Sequence, residues 1–286
     1  MALLAFELLF RLLWGSALGL VFVRRTESSE KFVKIAARIS WGLGLCAACL
    51  LWVSEGASGS AVSSGSAALA LGLFLVGFQL YTSLILPWTR LLGVVCVLIS
   101  PFVWLGGESW YYILNFVFSG LLLGGFFVGQ FLGHWFLNVP GMHIRELKRV
   151  MSFLFVGIAL KSIEILIFVI WKTTQLNPAI GLDAMGRPLA QDISNTDFLL
   201  KLNPSNSLFA LEGDLFLGLG TYGVILLSMR LLWGILAPWV LALMVNQTVK
   251  TRSTQSATGI LYAACVMVLV GEATALYLRN VLKFFM

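Results

Sequence analysis

Apolar stretches of about 20 residues, long enough to cross roughly 30 Å of hydrocarbon, can be placed eight times along this 286-residue chain. They run over about 2–23, 35–54, 67–87, 91–106, 110–138, 150–171, 214–246 and 257–280. A backbone in lipid must satisfy its own hydrogen bonds, and runs of this length do so as helices. The expected fold is therefore an all-α polytopic membrane protein of about eight transmembrane helices, a number that two four-helix bundles would accommodate. The fourth stretch is short and interrupted by Pro101, while the fifth and seventh are long enough to tilt or project beyond the bilayer.

Composition agrees. Residues 1–286 read as a single integral membrane domain, with 59% hydrophobic and 11% charged residues against about a quarter charged in soluble domains. The first stretch lacks a basic leader and a cleavage site, and its Arg24-Arg25 pair follows the apolar run, so it reads as a retained span. The formal net charge of +6 has no soluble basic domain to carry it, which argues against nucleic acid. It is better explained by loop orientation. Arg24, Arg25, Lys31, Lys34, Arg90, Arg145, Lys148, Arg149, Lys250 and Arg252 follow stretches 1, 3, 5 and 7, whereas the loops after stretches 2 and 4 hold no Lys or Arg. By the positive-inside rule the odd loops are cytoplasmic and both termini face outward, in what reads as a bacterial inner membrane. The one long polar segment, about 172–213, is then an outward loop, slightly acidic through Asp183, Asp192, Asp197 and Glu212. It either folds on a partner or caps the bundle.

Cys46 and Cys49 match a C-x-x-C pair, but a redox thiolate needs a helix N-terminus or nearby positive charge, and these lie within "WGLGLCAACLLWV". They read as small residues at a helix contact. Gly120, Gly124, Gly125, Gly129 and Gly133 form successive small-xxx-small steps in stretch 5, a device for close helix packing that could also leave a groove beside Gln130 and His134. Gln130 and His134 share a helical face near the cytoplasmic edge. They read as interfacial hydrogen-bonding residues or as a quinone-carbonyl donor and proton acceptor. No haem is expected. The only histidines, His134 and His143, leave the bilayer together and cannot act as opposed axial ligands.

Ionisable groups inside hydrocarbon are rare unless they pair or act. Counted from the cytoplasmic edge at about 1.5 Å per residue, Glu7, Glu164 and Glu272 lie at about 21–23 Å, Arg11 and Lys161 at about 15–16 Å, and Arg230 at about 24 Å. Four spans thus place three acids and three bases in one layer. Glu7 and Arg11 are spaced i,i+4 and Lys161 and Glu164 i,i+3, leaving Glu272 and Arg230 to pair between spans. The layer either locks the bundle by mutual neutralisation or lines a polar cavity where a carboxylate moves protons.

The layout, the "GQFLGHWFLN" exit from stretch 5 and the terminal "VLVGEATALYLRNVLKFF" resemble the NrfD/DmsC-like integral membrane subunits of respiratory oxidoreductases. Arg279 follows Glu272 by seven residues, a wider gap than that family's. The resemblance implies two four-helix bundles, no haem, and a quinone site presented to an extrinsic iron–sulfur subunit, with Glu272 as the last-helix acid and His134 at the span-5 exit. The chain is then expected to be a quinone-interacting membrane anchor of an electron-transfer complex, at most a membrane subunit of an oxidoreductase, with no covalent cofactor. A non-catalytic scaffold of a respiratory or photosynthetic assembly, or a proton-coupled transporter, would also use such buried charges.

Overall fold

The computed structural model describes residues 2–23, 27–58, 61–82, 87–105, 110–139, 144–180, 220–251 and 253–282. These form eight helices: α1 (Ala2–Val21), α2 (Glu27–Ser58), α3 (Ala61–Thr82), α4 (Pro87–Leu105), α5 (Trp110–Asn138), α6 (Ile144–Ile180), α7 (residues 220–250) and α8 (Thr254–Leu282). The α7 helix contains a π turn, Leu232–Leu236, between α-helical Gly220–Leu231 and Ala237–Lys250. Six of the eight carry segments long and apolar enough to cross a membrane: Ala2–Val21, Glu30–Val53, Trp110–Asn138, Arg145–Ile167, Ile225–Lys250 and Thr254–Arg279. In α3 and α4 the corresponding apolar segments, Ser66–Gln79 and Leu92–Leu105, are shorter. The expected loop at 172–213 begins as helix, because α6 continues to Ile180. Its remainder lies outside the described residues.

The distribution of side chains inverts that of a soluble protein. Trp52, Leu69, Leu45, Val266 and Leu166 are each at least 59% exposed, while Arg11 and Lys161 are at most 2% exposed. An apolar exterior around a charged interior is the arrangement of an integral membrane protein, in which lipid covers the outside and ions shelter from it.

Helix α5 organises the packing and touches α1, α6 and α8, while α7 closes against α6 and α8. The other side is built by α2 on α1 and α3, and by the closely packed α3–α4 pair. Glycines bring α1 and α5 to backbone contact. A Cβ added at Gly124 would overlap the Gly15 and Ser16 backbone, and one at Gly15 would overlap the Gly120 carbonyl. Further along α5, Gly125 and Gly129 face Phe153, Leu154 and Val150 of α6, and Gly133 faces Thr258 of α8. The small-xxx-small steps therefore seat three different helices. Beside the α1–α5 seam, Phe10 meets Phe74, Trp104 and Phe116 at ring separations of 6.0, 5.7 and 5.5 Å, tying α1 to α3, α4 and α5.

Pro101 shows how a helix break is tolerated here. Proline has no N–H, so the Val97 carbonyl four residues earlier loses its usual donor. The Trp14 indole N–H, at 2.8 Å, and the Ser100 hydroxyl, at 2.9 Å, donate to that carbonyl instead. A neighbouring helix and a serine thus satisfy the freed group, as apolar surroundings require.

Candidate functional site

Each of the four spans that carry charge in the sequence delivers it to one place. On α1 a single helical turn brings Glu7 and Arg11 together, with Arg11 Nη2 donating to Glu7 Oε1 at 2.6 Å. On α6 the i,i+3 spacing sets Lys161 Nζ 3.0 Å from Glu164 Oε2. Glu272 of α8 stands between these pairs, its Oε2 3.8 Å from Arg11 Nη1 and its Oε1 3.8 Å from Lys161 Nζ. Arg230 of α7 is buried and adds its charge to the field at both Glu272 and Lys161. Arg11 and Lys161 are thus inter-span partners of Glu272 that spacing along the chain did not single out, and Arg230 acts on the same carboxylate.

Helix α5 supplies neutral groups that stitch the pairs together. Asn115 accepts from Arg11 Nη1 through Oδ1 at 2.9 Å and donates to Glu164 Oε1 through Nδ2 at 2.6 Å. One amide thus uses both ends, and its orientation follows from having a cation on one side and a carboxylate on the other. One helical turn away, Ser119 accepts from Lys161 at 2.7 Å and also faces Glu272. Tyr112 donates to Glu7 Oε1 at 2.7 Å, and Tyr111 turns toward Glu164.

Arg279 completes the layer. Its Nη2 donates to Glu7 Oε2 at 2.5 Å, and its guanidinium lies 4.1 Å from the centre of the Tyr112 ring. From sequence spacing it was the base nearest Glu272 on α8; in the fold it belongs to Glu7.

The three carboxylates are consequently held very differently. Glu7 accepts from two guanidinium groups and a phenol. Glu164 accepts from Asn115 and sits against Lys161, although its Oε2 makes no aligned hydrogen bond. Glu272 Oε2 is buried with no hydrogen-bond partner, and Arg11 and Lys161 stand 3.8 Å from the carboxylate, beyond hydrogen-bond length. Glu272 is thus held by Ser119 and by the charge of the surrounding cations, without a hydrogen bond from Arg11 or Lys161.

Gln130 and His134 do not join this layer. They lie on the far half of α5, some 15–19 residues beyond Asn115, or about 22–28 Å along the axis. His134 is exposed, and His143 lies outside the described residues. Cys46 and Cys49 are exposed on α2 with the intervening Ala47 buried, so they face outward and do not sit at a helix contact within the described residues. Tyr112, Asn115, Ser119 and Arg279 were missed from sequence. The first three recur at helical spacing on one face of α5, and this periodicity of neutral polar residues in an apolar span was the available signal.

No protein-family model, curated protein or solved structure matches the chain.

Proposed function

We propose that the chain is a quinone-interacting integral membrane subunit of an electron-transfer complex, and that Glu272 is the acid through which its buried layer exchanges protons. In this reading all eight helices cross the bilayer as two four-helix bundles, α1–α4 and α5–α8, with both termini outward. An extrinsic redox subunit, such as an iron–sulfur protein, supplies electrons, as the resemblance to NrfD/DmsC-like subunits implies. The observation that carries the proposal is the unequal hold on the acids: Glu7 accepts directly from two guanidinium groups, whereas Arg11 and Lys161 stand 3.8 Å from Glu272, whose Oε2 has no hydrogen-bond partner. Quinone chemistry couples electrons to protons, so it needs a buried group that can change protonation without dismantling its surroundings.

The test is Glu272→Gln, which keeps shape and hydrogen-bonding capacity but carries no proton. The variant complex is expected to assemble normally and to lose quinone turnover or shift its pH profile. Normal assembly with unchanged turnover sinks the proposal. It would favour the second reading, a scaffold subunit in which the layer only locks helices. That reading draws support from the continuous links Arg279–Glu7–Arg11–Asn115–Glu164, which bind α8, α1, α5 and α6 together.

A further inference from the structure

The π turn in α7 sits where the helix meets the charged layer. Its i→i+5 geometry is seen in the Ala237 N–H, which donates to the Leu232 carbonyl, and Pro238 follows immediately. A proline at 238 cannot donate to the Gly234 carbonyl, and in a regular α-helix its ring would press on that same carbonyl. Widening the preceding turn by one residue relieves both conflicts. Such single π turns inside α-helices are concentrated at functional sites.

Three contacts surround this turn. Before it, Arg230 is 4% exposed and directs its charge onto Glu272 and Lys161. Within it, Gly234 packs backbone to backbone on Gly271, the residue preceding Glu272, and a Cβ at Gly271 would come 2.6 Å from the Gly234 nitrogen. After it, the Trp239 indole donates to Ser162 Oγ at 2.9 Å, and Ser162 lies between Lys161 and Glu164 on α6. The lower part of α7 is thus tied to α6, and the upper part is aimed by whatever register the turn imposes.

We propose that Pro238 is a positioning residue for the charged layer: by imposing the π turn it supplies the one-residue offset that faces Arg230 toward Glu272. An α-helix turns about 100° and rises about 1.5 Å per residue. Closing the π turn to α geometry with Trp239 anchored would rotate Arg230 by about 100° and carry it from the interior toward the apolar surface. The inference concerns where Arg230 stands, so it holds or fails independently of whether Glu272 carries protons.

The experiment measures distances between spin labels in the full chain, with the four native cysteines replaced. One label pair, Ile225 on α7 with Ile163 on α6, reports the part before the turn; a second, Met244 with Val156, reports the part after it. All four positions are at least 48% exposed. Pro238→Ala should change the first distance by about 4 Å at the backbone, from the rotation and rise of one residue, and leave the second unchanged. Pro238→Ala combined with deletion of Ile235 removes both the proline and the extra residue, and should return the first distance to its original value. An unchanged first distance in Pro238→Ala overturns the inference. So does a shifted distance in the combined variant. If Pro238→Ala yields no folded protein, the combined variant decides: recovery of fold and distance supports the offset, and failure to fold overturns it.

Discussion

Glu7 and Glu272 lie in the same layer, both 3% exposed, yet neutralising them should have very different consequences for stability. In Glu7→Gln, one amide oxygen must replace two carboxylate oxygens that accept from Arg11, Tyr112 and Arg279. The new amide N–H groups then face donors, and the Arg11 and Arg279 guanidinium groups lose their short contacts with a carboxylate. Removing one partner from a buried, hydrogen-bonded ion pair costs about 3–5 kcal/mol. In Glu272→Gln Arg11 keeps its ion pair with Glu7 and Lys161 keeps its ion pair with Glu164. Each 3.8 Å attraction is worth about 4 kcal/mol at an effective dielectric of 20. Relief of the several kcal/mol needed to hold a carboxylate out of water offsets most of this. The residual cost should be about 1 kcal/mol, on the scale of one hydrogen bond.

The two variants therefore differ by about 2–4 kcal/mol, with Glu7→Gln the weaker protein. Reversible unfolding of the purified proteins in mixed micelles, titrated with denaturing detergent, reads this difference directly. A Glu272→Gln cost equal to or greater than that of Glu7→Gln would refute the argument that hydrogen-bond donors, and not charge balance alone, distinguish the acids. It would also remove the basis for assigning proton exchange to Glu272.

Other outcomes follow from the packing. Gly124→Ala should destabilise by about 1–3 kcal/mol or more by prising α1 from α5, whereas Gly42→Ala, with nothing within 4 Å of its new methyl, should be neutral or stabilise by up to about 1 kcal/mol. The same unfolding assay separates them. Trp14→Phe should cost about 1 kcal/mol while Ser100 still serves the Val97 carbonyl, and adding Ser100→Ala should cost more than the sum of the two single changes because that carbonyl is then orphaned. A cysteine introduced at Ser194 should react with an impermeant reagent added to intact cells while one at Ser28 should not. The reverse pattern would overturn the positive-inside orientation.

Much of the layer could be read from the amino-acid sequence because two of its properties are one-dimensional. Depth in a membrane depends on residue number through the helical rise, so alternating spans bring Glu7, Lys161, Glu164, Arg230 and Glu272 to similar levels. Pairing within a helix depends only on spacing, and Glu7–Arg11 and Lys161–Glu164 pair accordingly at 2.6 and 3.0 Å. Partners between helices depend on how each helix is rotated and on which helix stands beside it. Those are set by the Gly15, Gly120 and Gly124 contact, by the Gly234–Gly271 crossing and by the π turn. That is why Arg279 meets Glu7 instead of Glu272, and why Asn115 and Ser119, rather than Gln130 and His134, enter the layer. Spacing along the chain determined height and neighbours on the same helix, while tertiary packing decided which faces meet, because in an apolar span rotation is governed by contacts with other helices and not by the span's own pattern.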